Sequence, residues 1–440
     1  MEKVSSWGRL SYINHKVYHL HRENPMMSLM PEKLTGICYG MGRSYGDVCL
    51  NPEGSLWKTR YLDHLISFDE KTGRLICEAG VLIKDIQQLF IPRGWCLSVT
   101  PGTQMVTIGG AIANDVHGKN YHRFGSFGNH VKGIDLLRTN GERIQCGPNT
   151  RPDWFAATIG GLGLTGIILS ADIQLSRIGG PWLQIESIPY SRLDTFFELA
   201  DHSEEGWEHT VSWVDCLNAK SQRGIFLRAN SVQPSEEQRL FLRKKRVGSK
   251  RQKKIVMTPP FSLVNPSLLK VFNHVYYFLN KRKKGCGITY YQDFFYPLDK
   301  LVDWNRIYGP KGFYQYQVVV PRQNGKEVIT CLLKLIAQAR EGSFLSVLKT
   351  FSKEQSLGML SFPKEGVTLA LDFPNRAQST LALFERLDAV VREAQGRVYL
   401  AKDARMSRDL FESTYPRYQE FLTYRDPGIS SAMSRRLMGF

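Results

Sequence analysis

Glycine mixed with small hydroxyl and amide residues is the strongest chemical signal in this chain of 440 residues. Four such stretches fall between residues 40 and 167. The first is Gly40-Met41-Gly42-Arg43-Ser44-Tyr45-Gly46-Asp47; the second is Pro101-Gly102-Thr103, running into Thr107-Ile108-Gly109-Gly110-Ala111. The third is His117-Gly118-Lys119-Asn120 with Gly125-Ser126-Phe127-Gly128-Asn129, and the fourth is Gly160-Gly161-Leu162-Gly163-Leu164-Thr165-Gly166-Ile167. Glycine lets backbone N–H groups approach an anion closely, so such loops suit the diphosphate of a dinucleotide. Small residues also let a loop lie flat against an aromatic ring system. Any one stretch reads more simply as a turn between strands; four together favour cofactor binding.

Gly161, Gly163 and Gly166 have the bare spacing of a Rossmann fingerprint, which needs a strand before it and a helix after it. The residues that follow, 167–175, have the character of a strand, so a Rossmann site is rejected. There is no Gly-Lys-Ser/Thr phosphate loop, which argues against an ATPase or kinase.

The elements that must position these loops differ between the two parts of the chain. Residues 34–175 read as short strands between Gly-rich turns, including 75–79, 107–113 and 166–173, with a helix over 83–90. Beyond residue 180 the elements lengthen: helices over 193–202, 325–340 and 379–393 alternate with strands over 314–320 and 367–373. From Gly396 a strand and then helix follow, and the whole reads as α+β. Hydrophobic residues make up 42% and charged ones 22%, as in a globular enzyme. No run of about 18 apolar residues predicts a membrane span, and the first residues lack the apolar core of a signal peptide. The eight cysteines form no C-x-x-C pair and no metal-spaced cluster, so no metal is expected and reduced thiols in the cytoplasm are.

The net charge of +17 is concentrated in one segment. Residues 239–292 hold 14 Lys and Arg and no Asp or Glu, leaving +3 for the rest of the chain. A dense basic run over 243–254 precedes an apolar helix over 268–279, which Lys281-Arg282-Lys283-Lys284 follows. That pairing suits an anionic membrane surface, the inner face of the plasma membrane in a cytoplasmic protein. The bland reading of 243–254 is a solvated loop. Nucleic acid is not expected, because few aromatics lie among the charges and no DNA-binding motif is present.

The order of these motifs resembles the vanillyl-alcohol-oxidase (PCMH-type) FAD-binding superfamily and, within it, the decaprenylphosphoryl-ribose oxidase branch. The likeness spans nearly the whole chain. It includes Trp7-Gly8-Arg9, the run from Gly42 to Asp47, the run from Val106 to Ala113, and His117-Gly118-Lys119-Asn120. It continues in Trp304-Asn305-Arg306, Gln315-Tyr316-Gln317, Asp372-Phe373-Pro374 and Ala401-Lys402-Asp403. It implies a two-subdomain PCMH-type FAD-binding domain over 1–178, completed by 396–440. A substrate domain over 179–395, built on an antiparallel sheet, would carry the basic segment 239–292.

The implied FAD contacts are Gly40, Met41, Gly42, Arg43, Ser44, Tyr45, Gly46, Asp47, Gly102, Thr107, Ile108, Gly109, Gly110, Asn114, Asp115, Val116, His117, Ile167, Tyr399 and Lys402. Arg43 stands where many relatives carry the histidine that bonds the flavin, so the FAD is expected to be non-covalent. Lys402 matches the cation placed near the flavin N1–C2=O edge, where charge collects as hydride reaches N5. His117, Lys119, Tyr45, Gln315, Gln317 and Lys349 match the substrate face, and one of them must clamp or deprotonate the hydroxyl.

The implied reaction oxidises a secondary ring hydroxyl of a polyprenyl-phosphate-linked pentose, ribose to its 2-keto form. An NAD(P)H-dependent short-chain reductase would complete an epimerisation serving cell-envelope arabinan. Ala370 and Thr368 replace a thiol and an amide of the relatives, and Phe295-Tyr296 replaces Tyr-His, which leaves the substrate open. One rival is a flavin oxidase of a free alditol or aldonolactone. Another is a basic binding module with a vestigial flavin fold.

Overall fold

In the computed structural model, residues 1–22, 35–218, 222–238, 242 and 252–440 are described, so most of the basic run 243–254 lies outside the described residues. Short β-branched and aromatic runs form two sheets in the first part of the chain. Strands Glu2–Val4, Ile13–His19, Ser55–Lys58 and Gly36–Tyr39 lie side by side in that order, the last three parallel. An antiparallel sheet is built around the long strand Ile167–Arg177, flanked by Arg74–Glu78 and Val131–Leu137. Gly166 is thus followed by a strand, which is the reason the Rossmann pattern fails here.

The third sheet has eight antiparallel strands in the order Gly285–Tyr290, Trp182–Tyr190, Gly224–Val232, His209–Val214, Ser346–Phe351, Gly366–Pro374, Phe313–Val320, Arg397–Val398. Helices Leu193–Ser203, Gly325–Gln338 and Gln378–Glu393 match the sequence periodicity and cover one face. Their Phe196, Ile329, Leu332, Phe384 and Leu387 pack with Val318, Leu348, Leu369 and Leu371 of the strands in one apolar core. The α+β reading therefore stands.

Residues 107–113, read as a strand, are instead the helix Ile108–Ala113. Thr107 caps it, its Oγ1 accepting the Gly110 N–H at 3.2 Å. Two glycines and two alanines make the helix thin, so that Gly109 rests on Ala79. The isoleucines mimic a strand pattern because both are buried in the helix.

The last forty residues fold back onto the first sheets. Gly36 donates to the Gly428 carbonyl and receives Ser430 N–H, both at 3.0 Å; Tyr45 N–H donates to Ala401 O at 3.1 Å. Gly46 packs so tightly that a Cβ there would overlap the Asp403 carbonyl. Gly46→Ala should therefore cost about 3 kcal/mol, lowering the thermal midpoint by about 3 °C. Gly206→Ala, where a Cβ meets nothing within 4 Å, should leave the midpoint in place in the same scan.

Candidate active site

The opposite face of the eight-stranded sheet, at strands Ser346–Phe351, Gly366–Pro374 and Phe313–Val320, closes a cavity of about 530 Å³, whose other walls are the glycine loops. Strand alternation decides which side chains enter it. On Phe313–Val320, Tyr316 and Val318 join the helix-side core while Gln315 and Gln317 line the cavity. On Gly366–Pro374, Leu369 and Leu371 pack on the core while Thr368 and Ala370 line the cavity, with Asp372 next on the same face. On Ser346–Phe351, Leu348 packs inward while Val347 and Lys349 line the cavity. The register sets Gln315 opposite Asp372, Gln317 opposite Ala370, and Lys349 opposite Thr368.

His117 joins this row from the loop after Ile108–Ala113. Its Nδ1 lies 3.1 Å from Lys349 Nζ and its Nε2 lies 3.0 Å from Gln317 Nε2. Lys349 also donates to Gly118 O at 3.0 Å, and Gln317 donates to Thr368 Oγ1 at 3.3 Å. A neutral imidazole donates at one nitrogen and accepts at the other, so His117 links the states of Gln317 and Lys349. Burial, then Lys349 and Lys402, push its pKa well below the usual histidine value.

Burial lowers Lys119 and Lys349 to about 7, with Lys119 and Lys402 further depressing Lys349. Lys402 falls to about 8, burial outweighing the attraction of Asp372. Its ammonium sits 4.0 Å from the centroid of the Tyr45 ring, whose edge meets Phe313. Lys119 is engaged by the Phe294 carbonyl and, at 3.4 Å, that of Phe295, so it braces the wall that Phe295 forms.

The sequence reading missed Asp372 as a functional group. Its Oδ1 accepts Gln315 Nε2 at 2.6 Å, while Oδ2 is buried without a partner among the described residues. Burial raises its pKa to about 7 against the opposing Gln315 bond and Lys402. The signal was its spacing: 368, 370 and 372 share one strand face. Of the departures from the relatives, Thr368, Ala370 and Phe295 are on the cavity wall. Tyr296 is buried, its hydroxyl 2.6 Å from Thr100 Oγ1.

The opposite wall fits a dinucleotide. Gly40, Met41, Gly42, Arg43, Ser44, Tyr45, Gly102, Thr107, Gly109, Gly110, Asn114, Val116 and Tyr399 all line it. Gly42 needs its positive φ of 60°, and a Cβ on Gly102 would meet nothing within 4 Å. Arg43 Nε and Asn114 Oδ1 are buried without partners among the described residues, polar atoms that a bound ligand can satisfy. Arg43 stacks on Trp7 at 4.0 Å. Tyr399 stacks on Phe362 and donates its hydroxyl to Asn114 O at 2.9 Å.

Five expected contacts do not line the cavity: Gly46, Asp47, Ile108, Asp115 and Ile167. Gly46 packs on Asp403, and Asp47 pairs with Arg436 at 2.9 Å. Asp115 accepts Gly128 N–H at 2.9 Å and Ser361 Oγ at 2.6 Å; Ile108 and Ile167 are fully buried. These residues shape the loops from behind.

The lysine shifts carry a sign. Between about pH 7 and the ordinary lysine value, the unfolded chain holds the Lys349 proton more tightly than the folded one. The penalty for Lys349 is therefore largest at pH 7 and fades toward pH 10. In the flavin-free protein, the thermal midpoint of Lys349→Met minus that of the wild type should fall steadily from pH 7 to 10. A flat or rising difference in scanning calorimetry would refute the burial of that charge.

Residues 31–147 match the FAD binding domain family. The chain is 34% identical over 416 residues to decaprenylphosphoryl-β-D-ribose oxidase of Mycolicibacterium smegmatis, covering 91% of this chain and 88% of that one. It is 29% identical over 376 residues to an uncharacterized protein of Streptomyces coelicolor, covering 81% and 100%. With L-gulonolactone oxidase of Bos taurus it shares 21% over 403 residues, covering 88% and 84%. Glycine loops on one wall, an ionisable row on the other and this extent of identity agree. The chain belongs to the decaprenylphosphoryl-β-D-ribose oxidase family and is an FAD-dependent oxidoreductase acting on CH–OH groups.

Proposed function

We propose that the substrate is a polyprenyl-phosphate-linked pentose, oxidised at a secondary ring hydroxyl from ribose to its 2-keto form. The observation that carries this is the convergence of Lys349, Lys402, Gln315, Gln317 and His117 on one wall, facing the glycine loops. The full-length likeness to a decaprenylphosphoryl-ribose oxidase supports the same substrate class. The FAD is held without a covalent bond by the loops at 40–45, 102, 107–110 and 114–117 and by Tyr399, with Arg43 in place of a bonding histidine. When bound, FAD supplies the two-electron acceptor. Lys402 is the fixed cation for the negative charge that develops there. Tyr45, Gln315 and Gln317 orient the sugar hydroxyls. The hydroxyl proton passes to the His117–Lys349 pair, since an amine held near 7 exists in both forms at neutral pH. Lys119 keeps Phe295 in place.

The same reading assigns flavin binding to 1–178 with 396–440 and substrate binding to 179–395. The ketone product needs a separate NAD(P)H-dependent short-chain reductase to complete an epimerisation, at the cytoplasmic face of the membrane that holds the lipid carrier. The wall substitutions Thr368, Ala370 and Phe295 favour a second reading, oxidation of a free alditol or aldonolactone.

The visible spectrum tests this. The purified protein should be yellow, release FAD on acid treatment, and bleach anaerobically with polyprenyl-phosphoribose. Bleaching by free sugars alone would replace the first reading with the second. Lys402→Met should retain FAD while kcat falls about 100- to 1,000-fold, the range for losing one charge-stabilising group. A kcat within a factor of about two of wild type would remove Lys402 from that role.

A further inference from the structure

The helix Pro266–Arg282 is turned the wrong way round for a protein in water. Asn265 caps it, accepting the Leu268 N–H at 2.9 Å, and Pro266 opens it. Its buried face carries Leu269, Asn273 and Tyr277, and Asn273 Nδ2 donates to Asp215 Oδ1 at 2.8 Å. Its outer face carries Leu268, Val271, Phe272, Val275, Phe278 and Leu279, each between 38% and 61% exposed. Their spacing of i, i+3, i+4, i+7, i+10 and i+11 gathers them into one stripe. A stripe of that kind normally seals a core; here the more polar side is packed and the apolar side faces out.

A second apolar group lies just before the helix in sequence. Val256, Met257 and Phe261 are 76%, 79% and 68% exposed. The segment holding them is fastened to the cavity rim. Lys253–Lys254 pairs in parallel with Leu301–Val302, Ile255 N–H donates to Val302 O at 3.0 Å, and Leu263 N–H donates to Ile307 O at 2.9 Å. Leu301, Val302 and Gln252 themselves line the cavity. The exposed apolar segment and the cavity thus share an edge.

We infer that the outer stripe of Pro266–Arg282, together with Val256, Met257 and Phe261, docks on an anionic lipid bilayer and presents the cavity rim to the membrane. This rests on the lipid-linked substrate proposed above and adds how that substrate is reached: the carrier's phosphate enters past Leu301–Val302 while its chain stays in the lipid. Charge selects the occupant. Arg282, Lys283 and Lys284 are exposed at the C-terminal end of the stripe, Lys253 and Lys254 are exposed just before Val256 and Met257, and no Asp or Glu occurs between residues 239 and 292. A second copy would bring the same cations face to face; anionic headgroups neutralise them. Aliphatic and phenylalanine side chains in the middle with lysines at the border match the arrangement of interfacial helices.

Flotation of the FAD-loaded protein with vesicles is the test. The wild type should float with vesicles containing phosphatidylglycerol, much less with phosphatidylcholine alone, and less at high salt. Val271→Asp with Phe278→Asp, both exposed and outside the cavity lining, should cut the bound fraction about tenfold or more. Turnover of a short-chain, water-soluble polyprenyl-phosphoribose should be unchanged in that variant, while turnover of the long-chain substrate in vesicles should fall. Failure of the wild type to float, or equal flotation of the variant, overturns the proposal. So does sedimentation equilibrium showing a dimer that the double substitution dissociates. Flotation needs no substrate, so it decides the docking face separately, whereas failure of wild-type turnover of the soluble substrate sinks the substrate reading alone.

Discussion

A β-strand points successive side chains to opposite faces, and the three strands at the heart of the large sheet use that constraint completely. One face of Ser346–Phe351, Gly366–Pro374 and Phe313–Val320 is apolar and buried under three helices. The middle of the other face lines the cavity, while Phe313 at one end and Val319 and Phe351 at the other are buried in small apolar clusters. A shift of one residue in any of these strands would put Gln317 or Lys349 into the helix-side core and Val318 or Leu348 into the cavity. The helix-side core therefore fixes the register, and the register fixes the site.

The site gathers ammonium groups in a place that water reaches poorly. Lys119, Lys349 and Lys402 each lose part of their hold on a proton there, and Asp372 keeps its own more tightly. Opposing shifts that bring a lysine and a carboxylic acid toward the same pH are what proton-transfer chemistry near neutrality requires. His117 connects the row by hydrogen bonding at both ring nitrogens.

Much of this was legible in the sequence. The glycine loops announced the cofactor wall, while Gln315 and Gln317 were implied by the family resemblance and lie on the strand read over 314–320. The helices 325–340 and 379–393 followed from apolar periodicity. What was not legible depended on partners distant in sequence. The run 107–113 looks like a strand until the Thr107 cap and the packing of Gly109 on Ala79 are seen. Asp115 and Asp47 sit inside motifs that suggest ligand contact, yet each is held by protein partners, Ser361 and Arg436. Lys119, read as a substrate contact, is engaged by two backbone carbonyls some 175 positions away.

The return of the chain's end to its beginning has a consequence for biogenesis. Gly36 and Tyr45 take their backbone partners from residues 428–430 and 401. At about 5–20 residues per second, the first glycine loop waits on the order of tens of seconds on the ribosome before that backing exists. The first glycine loop therefore completes its backbone pairing only after residues 401–430 have emerged, late in the assembly of the cavity.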